Sequence, residues 1–303
     1  MEPSNNRPRG PALADLDELV ELAVTLSARA VEVHRGAGAD IRPEHKTSPF
    51  DLVTAVDREA ERVIVEGILA ARPGDGILGE EGASREGRSG VRWIIDPLDG
   101  TTNFVYGYPE FAVSLGIEVG GVASVGVVRH SARDQLYIGI RGRGAWMNGV
   151  PIRVGDRPEL ATALFATGFS YDVDLRRRQA EVLVHVLPRT RDMRRGGSAA
   201  LDLCNVASGV VDLYFECPLG PWDLAAGRVI AEAAGAVVVV GTPPGHSGTG
   251  VVAANSGLLP SAIAMLAEAG LDFRASMGTH PSRFGGERGV DRPNVGNAPE
   301  THG

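Results

Sequence analysis

From Leu16 to Val33, apolar residues recur at Leu16, Leu19, Val20, Ala23, Leu26 and Ala30, the spacing of one helix face. A Gly- and Lys-containing stretch over 36–49 breaks the pattern and reads as an exposed loop. A second helix is expected over 51–71 and stops at the breaker Arg72-Pro73-Gly74. Strand-like runs follow at 76–78, 92–95, 111–119, 123–130, 135–141 and 145–154. Asn148-Gly149 is the strongest hairpin-turn signal in the chain. The second half alternates differently. Helices are expected over 175–187, 198–208, 221–234 (opened by Pro221) and 257–271, with strands over 211–216 and 236–240. A meander followed by helix–strand alternation predicts an α+β fold, a layered α-β-α-β-α sandwich with two sheets between helix layers. The antiparallel half should span about 13–160 and the α/β half about 161–273. Residues 1–12 are polar with three prolines, and 274–303 are rich in Gly, Pro and Arg. Both are expected to be disordered tails flanking one domain at 13–273.

Composition narrows the picture. Of 303 residues, 43% are hydrophobic and 22% charged, which excludes a disordered chain. The 40 Gly and 19 Pro follow no G-X-Y period and belong to turns and tails. A net charge of -8 argues against a nucleic-acid partner. No apolar run approaches the roughly 18–20 residues of a membrane span. The first 20 residues lack the basic start and apolar stretch of a secretory signal. Cys204 and Cys217 cannot build a disulfide framework, and the seven His show no zinc spacing. The expectation is a cytoplasmic protein with neither nucleic-acid nor membrane partners.

The informative chemistry lies in Trp93-Ile94-Ile95-Asp96-Pro97-Leu98-Asp99-Gly100-Thr101-Thr102-Asn103-Phe104. An apolar strand delivers Asp96 at its end, Pro97 stops the ladder, and Asp99 follows in a tight turn. Two converging carboxylates repel unless a cation sits between them, and an all-oxygen set suits a hard ion such as Mg²⁺. Gly100-Thr101-Thr102 can open a short helix whose free N–H groups hold a phosphate. Three further acidic positions carry little alone: Glu80 in Gly79-Glu80-Glu81-Gly82 reads as a charged loop, Asp223 after Trp222 as a helix cap, and Asp57 as an exposed helix residue. Arg176–Arg178 reads as a solvated face, Arg194-Arg195 as a candidate for subunit contact or site shaping, and the two Cys as buried thiols.

Together these blocks resemble the inositol monophosphatase family of Mg²⁺-dependent, lithium-sensitive sugar and polyol phosphatases. The resemblance covers about Leu16 to Leu271. It rests on four blocks: Lys46-Thr47-Ser48-Pro49 with Asp51 to Asp57; Gly79 to Gly82; Asp96 to Phe104; and Gly197-Ser198-Ala199-Ala200 leading to Glu216 and Pro221-Trp222-Asp223. The resemblance implies a sugar-phosphatase-like fold, a homodimer, and a small phosphorylated polyol as substrate. It implies Glu80, Asp96 and the Leu98 carbonyl on a first Mg²⁺, Asp96, Asp99 and Asp223 on a second, and a weaker third ion reached from Glu80 through water. Lys46 resembles a residue of the family's mobile loop near that third ion. Thr101 and Asp57 would align the attacking water, with no covalent intermediate. Gly100 and Thr101 would hold the phosphate, while Gly197, Ser198, Ala199, Glu216 and Asp223 would face the polyol. Sugar bisphosphatase, bisphosphate nucleotidase and histidinol phosphatase are alternatives within the fold, and a non-enzymatic scaffold lies outside catalysis. Thr101-Thr102-Asn103 favours inositol phosphate over the first two. Leu219-Gly220 departs from the polar or Cys residues common in relatives.

Overall fold

The computed structural model describes residues 13–37, 44–45 and 52–277. The block at 46–49, Asp51, and the tail residues 1–12 and 278–303 lie outside the described residues. The first half runs α1 (Leu13–Gly36), β1 (Glu44–His45), β2 (Leu52–Val53), α2 (Ala55–Ala71), β3 (Gly76–Gly79), β4 (Ser84–Arg85), β5 (Val91–Asp99) and α3 (Thr101–Tyr106). A meander continues as β6 (Ala112–Val119), β7 (Val122–His130), β8 (Gln135–Ile140), β9 (Gly144–Met147) and β10 (Val150–Ile152). The second half runs β11 (Leu164–Thr167), α4 (Val173–Val186), β12 (Asp192–Arg194), α5 (Ala199–Ala207) and β13 (Leu213–Leu219). It ends with α6 (Pro221–Ala233), β14 (Val237–Gly241), β15 (Thr249–Ala254) and α7 (Leu259–Glu268).

Local chemistry sets several of these boundaries. Helix α2 starts at Ala55 rather than 51 because Thr54 caps it: its hydroxyl accepts from Val56 N–H at 3.1 Å, and Asp57 accepts from Thr54 N–H at 2.8 Å. The run expected over 145–154 splits into a hairpin at Asn148-Gly149, whose φ angles of 50° and 78° are those of a tight left-handed turn. Strands β11, β12 and β15 were not expected. They are short, and β15 is buried along most of its length, so it shows no alternation to read. Arg274–Ser276, placed in the tail by the sequence, form one 3-10 turn beside β14.

Five layers result. Helices α1 and α2 cover the outer face of an eight-stranded sheet in the order β10-β9-β8-β7-β6-β5-β3-β4, antiparallel except where β3 runs parallel to β5. Helices α5 and α6 fill the middle, packed between that sheet and a five-stranded one ordered β12-β11-β13-β15-β14. Helices α4 and α7 close the far side over Phe165, Phe215 and Val252. The α-β-α-β-α sandwich expected from the sequence is the observed architecture.

One feature of the middle layer places the functional residues. Gly116, Gly126 and Gly139 are in register across β6, β7 and β8. A Cβ on them would run into Ala225, the Ala226 carbonyl and the Ile230 backbone respectively. The row of bare backbone therefore lets α6 lie directly on the sheet, which a larger residue would prevent. Gly126→Ala is expected to destabilise the fold by roughly 1–3 kcal/mol through overpacking. Gly36→Ala, where a Cβ meets open space, should stay within about 0.5 kcal/mol. Urea denaturation of both variants checks the pair; equal midpoints would show that α6 yields without cost.

Candidate active site

Each acidic residue reaches the site by a different element. Gly79 pairs with Ile95 across the parallel β3–β5 ladder, so Glu80, just past the end of β3, comes beside Asp96 within β5. The Glu80 turn is shaped by buried Glu61, which accepts from Glu81 N–H at 2.9 Å and Ala83 N–H at 3.0 Å. In β5 the register jumps from Asp96↔Ser114 to Asp99↔Ala112, so a bulge lies between the two aspartates. Within it, Asp96 Oδ1 accepts from Leu98 N–H at 3.1 Å. Gly100 then turns the chain with φ 97°, a conformation in which a Cβ would press on the Glu110 carbonyl and Phe111. The Thr101 hydroxyl lies 2.8 Å from Asp57 Oδ1 and 3.1 Å from the Leu98 carbonyl. Asp57, buried at the start of α2, also accepts from the Thr54 backbone and hydroxyl.

The second half supplies the rest. Asp99 Oδ2 accepts from the Ser198 hydroxyl at 2.6 Å and Ala200 N–H at 2.7 Å, which ties the β5 bulge to the first turn of α5. Asp223 sits in the first turn of α6 and accepts from Gly220 N–H at 2.6 Å. Strand β13 carries Glu216, which accepts from the Tyr214 hydroxyl at 2.8 Å and lies over Gly168, where a Cβ would displace it. The starts of α3, α5 and α6 thus converge on one place. Their N-terminal dipole ends favour negative charge there.

A cavity of about 600 Å³ opens at this junction, within the range of small-molecule sites. Of the twelve residues singled out from the sequence, ten line it: Glu80, Asp96, Leu98, Asp99, Gly100, Thr101, Gly197, Ala199, Glu216 and Asp223. Asp57 stands behind Thr101. Ser198, expected at the polyol, is 2% exposed and turned onto Asp99 instead. Residues not anticipated as lining are Gly168–Asp172, Pro218 and Trp222, with the departing pair Leu219-Gly220 beside them, while Arg195, a candidate for site shaping, also lines the cavity. The 168–172 loop follows β11, a strand too short and too buried to announce itself, so the loop carried no signal. Among the described residues, Arg195 is the one cation that lines the cavity.

Burial and mutual repulsion govern the electrostatics. Burial, then the charges of Glu80, Asp99 and Asp223, push the Asp96 carboxyl well above its usual range. Asp223 is likewise pushed well up by burial, Glu80 and Asp99, against the Gly220 N–H. Burial raises Asp99 to about 6, opposed by the Ser198 and Ala200 donors. Glu216 is raised to about 7 by burial, opposed by Tyr214 and Arg195. The donor set is all oxygen. Among the described residues no three His, Cys, Asp or Glu side chains are closed into a ligand shell; Asp99 and Asp223 are each anchored to the protein through Oδ2. The carboxylates of Glu80, Asp96, Asp99 and Asp223 share one cavity, and an all-oxygen donor set of this kind suits hard divalent cations.

The profile of the inositol monophosphatase family matches residues 15–271. The chain is 43% identical over 259 residues to the inositol-1-monophosphatase SuhB of Mycobacterium tuberculosis, covering 81% of this chain and 89% of that protein. It is 40% identical over 228 residues to a protein of Pasteurella multocida named Nus factor SuhB, covering 74% and 85%. The crystal structure of extragenic suppressor protein suhB from Bartonella henselae superposes with a TM-score of 0.76 at 32% identity, over 82% of this chain and 98% of that one.

The raised carboxyls set a pH dependence for the metal-free protein. A group raised in the native state gives stability that is fully present below its unfolded value, near 3.8 for Asp or 4.5 for Glu, and lost as pH rises through the folded value. For Asp99 and Glu216 that loss is complete only above about 6 and about 7. His34, lowered by burial to about 4, opposes this only below its unfolded value of 6.5. In chelator, the melting temperature should therefore rise as pH falls from about 8 to 6.5, and Glu216→Gln should flatten the slope. A wild-type profile falling over that window would contradict the shared burial of these acids.

Proposed function

The chain belongs to the inositol monophosphatase family, and with it to the phosphoric monoester hydrolases; we propose that it hydrolyses inositol monophosphate, or a related small polyol phosphate, with Mg²⁺. The observation that carries the reading is the meeting of Glu80, Asp96, Asp99 and Asp223 on one cavity beside the start of α3. Glu80, Asp96 and the Leu98 carbonyl would hold one Mg²⁺, and Asp96, Asp99 and Asp223 a second, with a weaker third near Glu80. When bound, such ions acidify water and offset charge on the leaving alkoxide.

The chain's own residues then do the positioning. The Thr101 hydroxyl donates to Asp57, so its oxygen is left to accept from the attacking water. A proton passing to Thr101 is matched by one passing on to Asp57, which Thr54 holds in place. Gly100 and Thr101 offer backbone N–H groups to the phosphate. Gly197, Ala199 and Glu216 face the polyol hydroxyls, Asp223 borders both ends, and Ser198 acts through Asp99. Residues 13–273 form the catalytic domain, to which the 3-10 turn of Arg274–Ser276 adds its contact with β14. We place a homodimer contact on the face where exposed Tyr108 and Val210 rim a second cavity, and the protein in the cytoplasm.

The Nus-factor name of one relative favours a second reading, a regulatory scaffold. The complete carboxylate set argues for turnover instead, because unneutralised buried acids are costly to retain. Phosphate release should be measured on inositol 1-phosphate, fructose 1,6-bisphosphate, adenosine 3′,5′-bisphosphate and histidinol phosphate. Inositol 1-phosphate should be preferred, Li⁺ should inhibit at about millimolar level, and Asp99→Asn should lose at least about a hundredfold. Chelation should abolish release and Mg²⁺ restore it. Full activity in chelator would overturn the reading.

Thr101→Ala separates water positioning from ion binding. Turnover should fall roughly 10²–10⁴-fold, the range for a positioned proton acceptor. Mg²⁺ affinity, followed by calorimetry, should change little, since every carboxylate remains. Normal turnover would leave Thr101 as a structural partner of Asp57 only.

A further inference from the structure

The β5 bulge that separates Asp96 from Asp99 interrupts the sheet ladder, and its backbone groups need partners from elsewhere. Leu98 N–H is taken by Asp96, and the Leu98 carbonyl lies in reach of the Thr101 hydroxyl. The Pro97 carbonyl is met by His34, from the last turn of α1, with Nε2 at 3.0 Å. A carbonyl only accepts, so Nε2 carries the proton. In the neutral ring Nδ1 is then the acceptor, and the Ser131 hydroxyl, 2.9 Å away, is the donor that fixes this tautomer.

The arrangement is enclosed. His34 is 4% exposed and Ser131 6%. The imidazole lies 5.9 Å from the Phe104 ring and 6.2 Å from Phe111, which are themselves edge-to-face at 5.2 Å. Ser131 is in turn held by its N–H to the Phe111 carbonyl at 3.0 Å. Phe104 sits in α3, so one ring touches both ends of the turn that runs from Asp96 to α3. Elsewhere α1 packs Leu16, Leu19, Ala23, Leu26 and Ala30 into the core shared with α2 and the sheet.

We propose that His34 is a positioning residue for divalent-cation binding. It clamps the Pro97 carbonyl so that the flanking Asp96 carboxylate and Leu98 carbonyl are presented together, with Ser131 as its orienting partner. The inference rests on the metal assignment made above and adds to it a residue 63 positions away in sequence. Partners that orient a ligating group without touching the ion commonly change affinity by about 10–100-fold when lost.

The test is cation binding itself. Mg²⁺ titrations by calorimetry, and the Mg²⁺ concentration giving half-maximal phosphate release, are compared for wild type, His34→Leu, His34→Gln and Ser131→Ala. His34→Leu should weaken Mg²⁺ binding about tenfold or more, yet keep turnover at saturating Mg²⁺ within about threefold. His34→Gln, whose amide N–H can reach the same carbonyl, should recover most of that loss. Ser131→Ala should fall between, at about threefold. A merely structural His34 would lower the melting temperature and leave Mg²⁺ affinity at the wild-type value, which would overturn the proposal. If His34→Leu does not fold, wild-type affinity in Ser131→Ala does the same. A wild type that binds no Mg²⁺ and releases no phosphate defeats the functional reading first, and this inference with it; a wild type active with Mg²⁺ beside unaffected variants defeats this inference alone.

Discussion

Repulsion between buried carboxylates is the constraint around which the molecule is arranged. Asp96, Asp99 and Asp223 are each removed from water and each feel the charge of Glu80, so the fold opposes their ionisation. A protein retains such a cluster only by spending other interactions on it. The Ser198 and Ala200 donors hold Asp99, Gly220 holds Asp223, and three helix starts point their positive ends at the same cavity. What remains uncompensated is a demand for positive charge, which divalent cations meet.

Holding the acids close requires that backbones approach closely. Helix α6 brings Asp223 to the cluster only because Gly116, Gly126 and Gly139 leave the sheet bare beneath it. Further along the same helix, Gly227 lies where a Cβ would meet Leu203 of α5. The middle layer is accordingly rich in alanine and glycine, with Ala199, Ala200, Ala225, Ala226 and Ala231 all buried. Thin residues at the seam and large ones on the outer faces are two consequences of one geometric need.

Much of this was legible in the sequence. The apolar run into Asp96, the Gly-Thr-Thr after Asp99 and the Pro-Trp-Asp start of α6 are local patterns with local causes, and the structure places them on one cavity. The layer order followed from the change of alternation near residue 160. What escaped was non-local or unpatterned. β15 is too uniformly buried to alternate, and Leu164–Thr167 is four residues long. The loop at 168–172 inherits its place from that strand. Ser198 reads as a helix cap and is one, accepting from Leu201 N–H, but its donation to Asp99 joins residues 99 positions apart. His34 closes a helical stripe and carries no motif at all.

The two halves of the chain divide the work unequally. Glu80, Asp96, the Leu98 carbonyl, Asp99, Thr101 and Asp57 all come from the first half, on a bulged strand braced from α1 and α2. The walls that a polyol would meet come from the second half: the 168–172 loop, Arg195, Gly197, Ala199, Glu216 and the 218–220 turn. Only Asp223 crosses over, carried by the helix packed on the glycine row. The division is not clean, because the second half also steadies the carboxylates: Ser198 and Ala200 hold Asp99, and Gly220 holds Asp223. Among the described residues that line the cavity, Arg195 is the one cation, and its charge offsets the burial that raises Glu216, so the second half supplies both the walls and part of the charge balance.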